Sequence, residues 1–109
     1  MNKLVRAVFR RSIIDESEYV RTTALKTLES ISKEKLLEEL IGILKDKTEN
    51  IKVRQKALQV LALEKENIEI ATVIVHTLWS DNETLKNDAA DLIPKLPKGY
   101  EVLKEAIYM

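Results

Sequence analysis

At 109 residues the chain has room for one compact domain, and its 45% apolar, 33% charged composition is that of a globular protein, not a disordered one. It has no cysteine, which excludes disulfides, thiolate metal sites and a cysteine nucleophile, and its two glycines and two prolines are too few for a turn-rich sheet protein. The formal net charge is zero but unevenly spread: residues 1–14 carry Lys3, Arg6, Arg10 and Arg11 against no acid, while residues 81–93 carry Asp81, Glu83, Asp88 and Asp91 against Lys86.

No apolar run approaches the ~18 residues that a membrane span needs. Charges interrupt the apolar positions of the first sixteen residues, which therefore do not read as a signal peptide. A cytoplasmic location is the expectation.

The first periodic stretch is Leu4–Ile14. Its Arg6, Arg10 and Arg11 fall close to one side, opposite Leu4, Val5, Val8 and Phe9. A helix with four cations could touch nucleic acid or an anionic membrane surface. Overall neutrality, however, lacks the broad basic footprint of a nucleic-acid binder, so nucleic acid is the lesser reading.

Three later segments repeat one another: Tyr19–Leu28, Lys52–Leu61 and Thr84–Ile93. Each has an aliphatic residue (Val20, Val53, Leu85) followed by a cation (Arg21, Arg54, Lys86). Alanine follows four residues after the aliphatic (Ala24, Ala57, Ala89) and another aliphatic eight after it (Leu28, Leu61, Ile93). These offsets place the apolar residues on one helix face, with alanine where a neighbouring helix comes close. An aspartate in a polar turn precedes each segment: Asp15, Asp46 and Asp81.

Between the repeats lie further helical stretches. Leu36–Leu44 shows an apolar stripe of Leu36, Leu37, Leu40, Ile41 and Leu44. Ile68–Trp79 is β-branched and suits a strand by propensity, but a lone strand would have no partner, so a helix is expected. Turns are expected at Ser30–Lys33 and Glu64–Asn67, with Thr48, Asn50, Asn67, Ser80 and Asp81 as caps. Pro94, Pro97 and Gly99 end the last repeat, and Tyr100–Met109, with Leu103, Ala106 and Ile107 on one side, reads as a further helix.

The pattern Asp15…Val20-Arg21…Ala24…Leu28 resembles HEAT-like helical repeats, including the branch related to phycobilisome lyases. The second copy departs by a longer turn, and the third by Leu85-Lys86. The resemblance implies an all-α fold: a short right-handed α-solenoid of about three helix pairs plus a C-terminal half repeat. One domain over 1–109 is expected, with pairs near 3–30, 33–63 and 67–96 and a terminal helix over 99–109. It also implies that turn aspartates and following arginines pair as an internal ladder, so that Asp15, Asp46, Arg21 and Arg54 serve structure.

No chemistry-bearing constellation emerges. His76 is the single histidine, with no cysteine and no close acid in helical register (Glu69 is seven residues away), so a metal site is not expected. Glu38/Glu39 and Asp88/Asp91 read as solvated faces, and there is no phosphate-binding glycine loop or nucleophile elbow. Trp79, ending an apolar stripe, reads as a core anchor; an exposed tryptophan would instead be a binding hot spot.

The expected function is therefore a non-catalytic protein–protein scaffold or adaptor, with no cofactor. The resemblance implies a concave face lined by the second helices. The candidate contact residues there are Tyr19, Thr23 and Lys26, then Lys52, Gln55, Lys56 and Gln59, then Asn87, Asp88 and Asp91. The alternatives are a nucleic-acid-binding module and an accessory of a chromophore-lyase system. Exposed apolar residues at Leu103, Ile107, Tyr108 and Met109 make a homodimer through the terminal helix a further expectation.

Overall fold

Short polar side chains start most of the helices in the computed structural model, which describes residues 2–108. Asn2 opens α1 (Lys3–Ser12), Ser17 opens α2 (Glu18–Ile31) and Ser32 opens α3 (Lys33–Lys45), each accepting from the backbone N–H three residues on. Asn67 does the same for α5 (Ile68–His76) and Asn82 for α6 (Glu83–Leu92). Two further helices are α4 (Ile51–Leu61) and α7 (Gly99–Tyr108), and 3-10 turns occupy Thr77–Trp79 and Ile93–Lys95. Helix, the 3-10 turns included, accounts for 78% of the described residues, and no strand occurs among them. The β-branched stretch after Ile68 is helical, as expected. Of the caps read from sequence, Asn67 acts as one, and so does Asn50, which accepts from the Lys52 N–H (2.8 Å) ahead of α4, whereas Asn82 takes the place assigned to Ser80 and Asp81.

The chain divides into two compact units, Met1–Ala57 and Leu58–Met109, with the boundary inside α4. In the first unit α2 packs against both α1 and α3. Its core includes Phe9, Ile13, Leu28, Leu36, Leu40, Ile43 and Leu44. In the second unit α5 packs on α7 and on α6, around Ile70, Ile74, Val75, Leu85, Ala89, Ile93 and Val102. Val102, absent from the expected stripe, is the residue by which α7 buries itself, while Ile107 stays 61% exposed.

The repeat positions differ in burial along the chain. Val53 and Ala57 in the second copy, and Leu85 and Ala89 in the third, are essentially inaccessible. In the first copy Val20 is 37% exposed and Ala24 half-buried. Ala57 has no exposed surface, so the methyl group already fills its space. Ala57→Leu should overpack the site and lower stability by about 1–3 kcal/mol. Thermal melting checks this, and an unchanged midpoint would remove Ala57 from the close contact.

The arginines of the first two repeats work differently from the expected ladder. Arg54 is buried and donates from Nε (3.1 Å) and Nη2 (2.8 Å) to the Leu44 carbonyl, an orphan acceptor at the end of α3. Arg21 donates to the carbonyls of Asp15 and Glu16 in the loop before α2. Both therefore close the turn ahead of their own helix through backbone oxygens, not through carboxylates. The aspartates hold the same turns from inside: Asp15 accepts from the Ser17 N–H (2.9 Å), and Asp46 from the Thr48 N–H (3.0 Å).

Candidate functional site

In the first unit the residues that gather charge are those the sequence placed on the basic helix. Arg6 and Arg10, one turn apart on α1, point at α3. Arg6 Nε donates to Glu39 at 3.1 Å, and Arg10 Nε donates to the other oxygen of Glu39 at 3.3 Å. Arg10 Nη1 reaches Asp46 at 2.9 Å and Glu49 at 3.0 Å. One guanidinium thus joins three acids, and the Glu39 side chain is only 9% exposed. Glu39 was read as part of a solvated face; it is instead the buried centre of this network.

The Asp46 carboxylate is pushed down from 3.8 to about 2, chiefly by the Thr48 hydroxyl and then by Arg10. A carboxylate with a lowered folded-state value stabilises the fold above its unfolded value, about 3.9, and that contribution fades as pH falls through about 2. Between pH 4 and pH 2 the parent protein should therefore lose stability more steeply than Asp46→Asn. Denaturant midpoints across that window measure this, and equal slopes would show that Asp46 carries no such linkage.

The network uses two of the four N-terminal cations internally. Among the described residues Lys3 and Arg11 have no acid partner, and both are exposed. On the other side of α1, Leu4, Val5 and Val8 are 74%, 50% and 58% exposed, so the apolar stripe faces out, and of the apolar residues from Leu4 to Ile13 only Phe9 and Ile13 are buried.

Most of the candidate contact residues are surface residues. Tyr19, Thr23 and Lys26 are exposed on α2, and Tyr19 is open at 80%. On the α4 segment of the first unit Lys52 is exposed, whereas Gln55 and Lys56 are half-buried. In the second unit Gln59, Asn87 and Asp91 are exposed and Asp88 half-buried. Tyr108 is exposed, and Met109 lies outside the described residues.

Trp79 departs most from its sequence reading. It is 59% exposed, not a core anchor. The reason is local: α5 ends at His76, and the next three residues wind as a 3-10 turn, in which positions three apart eclipse. Trp79 therefore stands over exposed His76, edge-to-face with ring centroids 6.0 Å apart. Ile68 (58% exposed), Thr72 and His76 follow at four-residue spacing on α5, so the indole crowns an open stripe of the second unit. The Ser80 N–H donates to the Thr77 carbonyl (3.1 Å), and the Asn82 N–H donates to the Ser80 hydroxyl (3.1 Å), which fixes the turn beneath it.

No group of three or more acids and histidines able to hold a metal ion occurs among the described residues. Nor is any described helix long and apolar enough to cross a membrane. No family model matches the chain, and no curated protein or solved structure gives a significant match.

Proposed function

We propose that this chain is a non-catalytic protein-binding module built from HEAT-like helix pairs. The reading is carried by Trp79. A large aromatic ring held open to solvent on a fixed turn gives the fold little, because its apolar surface stays wet. Tryptophan is among the residue types that most often dominate binding energy at protein interfaces. The first unit, taken by itself, offers a separate candidate surface in the exposed polar positions of α2 and α4, Tyr19, Thr23, Lys26 and Lys52.

The nucleic-acid alternative has less support, since Arg6 and Arg10 are already paired with Glu39, Asp46 and Glu49. Substituting Arg6 and Arg10 would also confound binding with folding, so the informative variant lies elsewhere.

Trp79→Ala should weaken capture of a protein partner from native lysate by about 30-fold, the loss expected of a hot spot worth about 2 kcal/mol. Its melting temperature should stay near that of the parent, because exposed substitutions change stability by less than ~0.5 kcal/mol. Quantitative capture by parent, Trp79→Ala and Lys52→Glu proteins reads the outcome. If no captured protein depends on either position, the module binds elsewhere or not at all.

A further inference from the structure

Between Lys65 and Lys86 the chain around Trp79 carries charge of one sign. From Glu66 to Glu83 the chain has four acids and neither lysine nor arginine. All four (Glu66, Glu69, Asp81 and Glu83) are exposed, and among the described residues none has an ion-pair partner. Glu69 sits in the first turn of α5, one residue after Ile68, and Asp81 lies two residues beyond the indole on the turn pinned by Ser80 and Asn82. Glu83 begins α6. An exposed aromatic ring with unpaired carboxylates two and four residues further along the chain is the chemistry that receives a guanidinium or ammonium group: the ring attracts the cation, and the acids neutralise it.

We infer that the Trp79 surface takes an arginine- or lysine-rich segment of a partner protein, one cation lying on the indole and its neighbours meeting Asp81 and Glu83. This rests on the reading of the chain as a protein-binding module and names the chemistry of the partner at the same site. Arginine is favoured over lysine because its planar guanidinium stacks on the ring while its edge still donates to a carboxylate.

The probe is a hexa-arginine peptide, with hexa-lysine and hexa-glutamate as comparisons. Trp79 is the single tryptophan, so the fluorescence of the intact protein reports on this surface directly. Hexa-arginine should change the emission saturably, more tightly than hexa-lysine, while hexa-glutamate leaves it unchanged. Affinity should fall steeply with added salt. By calorimetry, Trp79→Ala and the double variant Asp81→Asn/Glu83→Gln should each bind hexa-arginine at least about tenfold more weakly, and Trp79→Phe should retain part of the affinity. Circular dichroism of each variant should match the parent.

Equal binding of hexa-arginine by parent and Trp79→Ala proteins would overturn the inference, as would tighter binding of hexa-glutamate. If capture from lysate depends on Trp79 while hexa-arginine does not bind, the module reading stands and the cationic partner is wrong. If hexa-arginine binds at Trp79 but no protein is captured through it, the cation site stands and the module reading fails.

Discussion

Arg10→Ala should melt well below the parent protein. The Arg10 guanidinium alone bonds Glu39, Asp46 and Glu49, and removing it leaves three acids facing one another with only Arg6 in reach of Glu39. Breaking a fully buried ion pair by deleting one partner costs about 3–5 kcal/mol. Here Asp46 and Glu49 keep 31% and 20% exposure, so water offsets part of the loss and about 2–3 kcal/mol is expected. For a domain of this size that corresponds to roughly 10–20 °C in melting temperature. Arg10→Lys should recover only a fraction, because an ammonium is a point donor that cannot bridge three carboxylates. A melting temperature within a degree of the parent would mean that the network contributes nothing to the fold.

Gly99→Ala should also destabilise, against the usual rule for helices. Alanine exceeds glycine in helix propensity by about 1 kcal/mol, and Gly99 is the first residue of α7. A β-carbon at that position, however, would overlap the Ile93 carbonyl oxygen and crowd the Ile93 carbonyl carbon (3.1 Å) and Cγ2 (3.2 Å). The backbone cannot yield there cheaply: Ile93 accepts from the Leu96 N–H, and Leu96 accepts from the Gly99 N–H. Relief requires α7 to shift and Val102 to lose its buried place, at about 2–3 kcal/mol. Thermal and denaturant unfolding measure it, with Lys98→Ala as the neighbouring control. A gain in stability would show that the start of α7 adjusts freely.

The helices were legible in the sequence because their evidence is local. The apolar stripe Leu36, Leu40 and Leu44 and the prolines after Leu92 act within a turn or two of themselves. The charge network was not, since Arg10 meets Glu39, Asp46 and Glu49 across 29, 36 and 39 residues, and no periodicity links them. The basic side of α1 was therefore read as outward when it is the side that docks. Trp79 was misread for a different reason. Its place in the apolar stripe holds for continuous α-helix, and the change to 3-10 winding after His76 swings it over the exposed side. The position of the nearest cap, Asn82, carried a hint that a turn intervened. The caps at Asn2, Ser17 and Ser32 were available to the same reasoning and were missed.

Ser32 has a mechanical consequence. It is the last bonded residue of α2 and the cap of α3 at once: its N–H donates to Leu28 (3.0 Å), its carbonyl accepts from Leu36 (3.1 Å), and its hydroxyl accepts from the Lys35 N–H (3.2 Å). With a single residue as the joint, α2 and α3 have no slack between them and form a stiff elbow. A bend there would have to break hydrogen bonds on both sides together. Insertions or hinge motion within the first unit must therefore fall outside this joint, and the 46–50 connection can take them only by giving up the bonds of Asp46 and Glu49 to Arg10.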